Sequence, residues 1–170
     1  MSFFRVLSAV FLVTCLGACS PSSQKNVGAQ APDFTLPLLS ENSSPVTLSN
    51  VTAEQQVLLV FWATWCPSCV AEIPVLNEWN KKYASQGLKI LGINIEEPRG
   101  KVLEFAEKYP MDYSILLDSD GQTAAVYGLV ALPVTVMLAT GGKIIYYGFG
   151  LPEIEELMDL APSQNVPWQA

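Results

Sequence analysis

Two cysteines stand three apart at Cys66 and Cys69, with Pro67 and Ser68 between them. Residues at that spacing lie on one face of a helix, so the two sulfurs can close a disulfide without moving the backbone. What such a pair does depends on the elements that hold it. The apolar run 57–63 reads as a buried strand, it breaks at Thr64 and Trp65, and the segment after Cys66 reads as a helix. A strand that feeds a helix through Cys-x-x-Cys places both sulfurs at the helix N-terminus. There the free backbone N–H groups and the positive end of the dipole favour thiolate over thiol. Pro67 suits the first helical position, because the N–H it lacks would have no partner there. Glu72, three residues beyond Cys69, falls on the same helical face. A carboxylate there can take a proton from Cys69, and its charge disfavours thiolate on either sulfur. A dithiol not stabilised as thiolate gives a more reducing couple. The alternative for Glu72 is a solvated residue on the outer face of the helix.

Composition removes most other chemistry. The chain has 170 residues, half of them hydrophobic, and no histidine. Without histidine there is no Ser-His or Cys-His nucleophile pair and the commonest metal ligand is missing. A Cys-x-x-Cys can be half of a zinc site, but no further cysteine or histidine is left in the folded part to complete it, so no metal and no cofactor is expected. An inert staple is the other bland reading, and closing so short a loop gains little. The formal net charge of −7 argues against nucleic acid as a partner. The length suits one core.

The N-terminus reads as an address. Arg5 precedes an apolar stretch, 6–16, and then small residues follow, a pattern that fits export better than a spanning helix, which needs about 20 apolar residues. Leu16-Gly-Ala-Cys19 resembles the lipobox of bacterial lipoproteins. That resemblance implies removal of residues 1–18, lipidation of Cys19, and a polar tether over 19–30. An uncleaved anchor and an ordinary signal cut near Ala18 are the alternatives. In each case the domain lies outside the cytoplasm, where disulfides persist.

From 31 to 162 the pattern is that of one α/β domain, with 163–170 as a tail. Segments 31–38 and 45–49 alternate apolar and polar residues around a turn at 40–44, which suggests a short hairpin at a sheet edge. The helix after Cys66 carries Ile73, Leu76, Asn80 and Tyr83 at helical spacing, should kink at Pro74, and ends at Gly87. A central strand is expected over 88–95, an amphipathic helix over 100–109, a strand over 113–117 and a short helix over 122–127. Segments 134–139 and 143–149 form an antiparallel hairpin, and Pro152 opens a last helix over 153–160. Such an order indicates a mixed sheet flanked by helices.

Phe61-Trp-Ala-Thr-Trp-Cys-Pro-Ser-Cys69 resembles the active-site segment of the thioredoxin superfamily, and most closely its TlpA/ResA/DsbE-like branch of membrane-tethered thiol–disulfide oxidoreductases. The likeness runs from Ala31-Pro-Asp-Phe34 to about Leu160. It implies a thioredoxin-like fold: a central mixed β-sheet flanked by helices, an N-terminal β-hairpin, and an extra strand–helix insertion matched to 89–107. Pro74 matches the helix-kinking proline of the family and Leu132-Pro133 its cis-proline beside the disulfide. The resemblance makes Cys66 the exposed nucleophile, Cys69 the buried resolving thiol and Glu72 the active-site glutamate. Trp65, Pro67, Leu132 and Pro133 then belong to the substrate groove, with Trp62 and Trp65 as an aromatic frame. Val60 stands where cytoplasmic thioredoxin has a buried aspartate, which shifts the acid–base work to Glu72 or water. Glu96, Glu97 and Pro98, at the C-terminal rim of the sheet, read as a solvated loop, with a protein-contact surface as the alternative.

The implied activity is reduction of disulfides in protein substrates, one family role being reduction of apocytochrome c cysteines before haem attachment. The implied partners are protein thiols and disulfides, a thiol-transferring membrane electron donor, and the lipid bilayer through Cys19. The implied place is the bacterial cell envelope, with the domain facing the periplasm or another extracytoplasmic space. Two rivals stand beside it. Ala31-Pro-Asp-Phe34 also resembles the opening of peroxiredoxins, which place a threonine three residues before the reactive cysteine, where this chain has Ala63. A tethered binding or chaperone module with a residual disulfide is the non-enzymatic rival.

Overall fold

A computed structural model describes residues 26–40 and 43–160. The expected signal, Cys19, most of the tether and the tail 163–170 lie outside the described residues. The chain runs β1 (Thr35–Leu36), β2 (Val46–Thr47), α1 (Leu48–Thr52), β3 (Gln56–Trp62) and α2 (Pro67–Tyr83). It continues through β4 (Leu88–Ile95), α3 (Arg99–Lys108), β5 (Ser114–Asp118), α4 (Gln122–Val126), β6 (Val134–Leu138), β7 (Ile144–Phe149) and α5 (Ile154–Leu160).

Every residue of β3 is buried, because β3 is the middle of a five-stranded sheet ordered β5-β4-β3-β6-β7. It pairs in parallel with β4 and antiparallel with β6, which makes the sheet mixed. Side chains alternate across it. Val57, Leu59 and Phe61 point to one face with Leu91, Val136 and Tyr127, while Leu58 and Val60 point to the other with Leu76 and Tyr83 of α2 and Ile154 of α5. A continuous apolar run is what a strand covered on both faces requires. The strand of the expected insertion at 89–107 is β4, which lies inside the sheet between β3 and β5, and β5 forms the edge on that side.

β1 and β2 pair over two residues each and form a small sheet of their own. The stretch just after β1 lies along the β5 edge instead: Leu39 donates its N–H to Ile115 at 2.8 Å, and Leu117 donates to Pro37 at 3.0 Å. The Arg99 guanidinium holds that stretch, donating to the carbonyls of Leu38 and Leu39. At the opposite edge Gly28 donates to Ile144 at 2.8 Å and Ile144 to Ala29 at 2.9 Å. The N-terminal chain therefore pairs with part of each edge strand. Gly28 and Ala29 thus join the folded body through β7.

Candidate active site

β3 ends at Trp62; four residues later Cys66 is the N-cap of α2, in extended backbone (φ −96°, ψ 104°), and the helix begins at Pro67. The Cys66 Sγ accepts the backbone N–H of Cys69 at 3.2 Å and lies 3.4 Å from the Ser68 hydroxyl. Cys66 and Cys69 form a disulfide with their Cα atoms 5.3 Å apart. Both residues are only 4 % exposed, so in this oxidised state exposure does not separate the expected exposed nucleophile from its buried partner. What separates them is place. The Cys66 sulfur sits at the helix end and takes an N–H bond there, an arrangement that strengthens when the sulfur is anionic. Pro67 is exposed at the first helical position, and Pro74 lies inside α2.

The Leu132–Pro133 peptide is cis, Pro133 is buried, and Leu132 packs against the cluster that contains both cysteines and Trp62. Beside them Trp65 is 64 % exposed. Trp65 and Leu132, with Ile95, Glu96, Leu129 and Val130, line an apolar groove of about 300 Å³. Among the expected groove residues, Trp65 and Leu132 line it; the buried Pro133 and the exposed Pro67 do not. One wall of the groove is α4, whose start is fixed by the buried Asp118 carboxylate. That carboxylate accepts the N–H groups of Thr123 at 3.0 Å and Ala124 at 2.8 Å.

Glu72 does not lie on a solvated outer face. It is half-buried, its Oε2 is shut off from solvent with no hydrogen-bond partner, and burial pushes its carboxyl up from 4.5 to about 7. A carboxyl poised near neutrality can both take and return a proton at the working pH.

Glu97 is the residue that the sequence reading missed. It was expected in a solvated loop, and it is 3 % exposed. Glu96 takes a left-handed backbone conformation (φ 53°), and the chain turns there so that Glu97 points back beneath the segment before the disulfide. Its Oε2 accepts the Thr64 N–H at 2.7 Å and the Asn94 amide at 2.8 Å. Its Oε1 accepts the Thr64 hydroxyl at 2.6 Å and pairs with Lys101 at 2.7 Å. Burial works to raise its pKa, but the bonds from Lys101, Thr64 and Asn94 outweigh it and hold the carboxyl below the usual range. The one available signal was Asn94, a polar residue in an apolar strand directly opposite Trp62 in the register. A buried amide needs a partner nearby.

Among the described residues no cluster of three or more histidine, cysteine or acidic side chains is placed to hold a metal ion. No described helix is long and apolar enough to cross a membrane.

Comparison with known proteins agrees with this geometry. The AhpC/TSA family model matches residues 27–147. The chain is 36 % identical over 118 residues to the thiol-disulfide oxidoreductase ResA of Geobacillus thermodenitrificans, covering 69 % of this chain and 66 % of that protein, just under two thirds of its length. It is 32 % identical over 145 residues to ResA of Oceanobacillus iheyensis, covering 82 % and 75 %. Among solved structures, a Chlorobium tepidum chain described as a thiol:disulfide interchange protein DsbE superposes with a TM-score of 0.71 at 29 % identity, over 79 % of this chain and 96 % of that one. A secreted Mycobacterium tuberculosis disulfide oxidoreductase homologous to E. coli DsbE gives 0.61 at 25 % identity, over 76 % and 96 %.

Proposed function

Because the chain belongs to the AhpC/TSA family, and within it to the ResA-type thiol–disulfide oxidoreductases, we propose that it reduces disulfides in protein substrates outside the cytoplasm. The observation that carries this reading is the Cys66–Cys69 disulfide at the N-terminus of α2, with the Cys69 N–H on the Cys66 sulfur. In the reduced protein the Cys66 thiolate attacks one sulfur of a substrate disulfide. The substrate S–S bond breaks, a mixed disulfide forms, and the first substrate sulfur leaves as a thiolate that takes up a proton. Glu72 accepts the proton of Cys69, and the Cys69 thiolate attacks the Cys66 sulfur. The mixed disulfide breaks, the second substrate sulfur leaves as a thiolate that takes the proton held by Glu72, and so two electrons pass to the substrate and the Cys66–Cys69 disulfide remains. The groove beside Trp65, Leu132 and Pro133 receives the substrate chain, and a thiol-transferring membrane donor restores the dithiol. Lipidation of Cys19 holds the domain at the bacterial envelope, and apocytochrome c is the substrate that the ResA likeness favours.

The peroxidase alternative loses its threonine. Thr64 is the threonine nearest before Cys66, and its hydroxyl is committed to Glu97 at 2.6 Å. The deciding experiment is equilibration of the protein against glutathione and dithiothreitol buffers. A reduction potential below about −230 mV is expected; a value near −120 mV would mark an oxidant and overturn the direction assigned here.

A further inference from the structure

Tyr146 and Gly148 occupy alternate positions in β7 and so face the same side of the sheet; Gly150 lies just past its end in left-handed backbone (φ 72°). That side is the one under α2, where Tyr146 packs with the cluster of Leu76 and Met137. The Tyr146 ring lies along the strand, over Gly148. A Cβ placed on Gly148 would sit 2.3 Å from the Tyr146 hydroxyl oxygen and 2.7 Å from its Cζ. The next glycine on the track faces the carboxylate: a Cβ on Gly150 would lie 3.5 Å from Glu72 Oε1. The ring occupies the first glycine and leads towards the carboxylate over the second.

We propose that Gly148 is a positioning residue: by carrying no side chain, it lets the Tyr146 ring lie down as the wall that shuts water away from Glu72. A second tyrosine is seated over a glycine in the same way. Gly148, Thr135, Val60 and Gly92 form one register row across the sheet, and a Cβ on Gly92 would meet the Tyr113 ring at 2.9 Å. Burial raises both tyrosines, and the Glu72 charge adds to the rise. On Glu72's own helix the groups to consider are Cys66 and Cys69. A methyl group at Gly148 meets the free end of a side chain, and Gly148 is not in the left-handed region, so the ring must swing away while the strand stays.

The proposal rests on the reading of Glu72 as the proton acceptor of Cys69, and two readouts separate them. The first is the titration of the Glu72 carboxyl in the oxidised protein, followed by its infrared C=O band and identified by the band lost in Glu72→Gln. The midpoint should move down by more than about one pH unit in Gly148→Ala and in Tyr146→Ala, as water reaches the carboxyl. Tyr146→Phe keeps the ring and should keep the midpoint. An unchanged midpoint in folded Gly148→Ala overturns the proposal, and so does a Tyr146→Phe shift as large as that of Tyr146→Ala. The second readout is the pH profile of disulfide reduction. If the band moves in Gly148→Ala and that profile does not, the wall stands and the acceptor role of Glu72 falls.

Discussion

Two glutamates near one disulfide are driven in opposite directions by what touches them. Glu97 has a partner for each carboxylate oxygen, two of them from Thr64, while Glu72 has a buried oxygen with none. Environments that push like groups apart in pKa are how one site can hold both a fixed charge and a mobile proton. The lowered pKa of Glu97 means that its stabilisation is present above the ordinary glutamate range and is lost as pH falls through its folded value. Glu97→Ala leaves the Thr64 N–H and the Asn94 amide without their acceptor, at about 1–3 kcal/mol for each group left unpaired. Urea unfolding at pH 7 should show that loss, and it should shrink on acidification. Glu72 has the opposite sign. Its contribution is complete below 4.5 and is lost as pH rises through about 7, so Glu72→Gln should gain in relative stability between pH 5 and pH 8. Cys66, Cys69 and Glu72 were legible because helical spacing alone relates them. Glu97 was not, because its place depends on a left-handed residue, Glu96, that no local pattern announces.

At the scale of elements, what the sequence showed best is what local periodicity controls. The central strand expected over 88–95 is β4 residue for residue, and the helix after Cys66 runs through Tyr83 before a short 3-10 turn and the left-handed Gly87 end it. The N-terminal hairpin was legible only in outline. The backbone groups after β1 bond to β5, and those around Ala29 bond to β7, partners more than seventy residues away that no window of sequence contains. The turn after β5 conceals a similar dependence, since Asp118 is both the last residue of the strand and the acceptor for the first turn of α4. Removing that carboxylate in Asp118→Ala should cost about 0.5–2 kcal/mol, as for other lost helix caps. Because α4 walls the groove beside Trp65, the variant should also raise KM for a protein substrate and leave kcat little changed. Faster amide exchange at Thr123 and Ala124 would tie the two effects together, and unchanged exchange there would break the link.

For the whole molecule, the direction in which the sheet runs sets where the chain can be held. The disulfide lies past the C-terminal ends of β3 and β4, at the end of the sheet where Phe61 pairs with Val134 and Val134 with Phe149. The N-terminal chain joins at the other end, where Gly28 and Ala29 bond to Ile144, the first residue of β7. A lipid on Cys19 would therefore hold the domain by the end away from Cys66, leaving the groove free to meet protein partners. The nine residue-to-residue steps from Cys19 to Gly28 reach at most about 30 Å when extended, so the domain would stay close to the bilayer. Replacing the anchor should then separate location from chemistry. Cys19→Ser is expected to move the protein from the membrane fraction to the soluble fraction of the envelope, and the potential of the Cys66–Cys69 pair should not change. Exchange with a purified soluble substrate should be equally fast in both forms, whereas regeneration by a membrane donor should slow as the effective concentration set by the tether is lost. Retention of Cys19→Ser in the membrane fraction would refute the lipid anchor. A changed potential would refute the separation of anchor from site, since it would require the two ends of the sheet to be coupled.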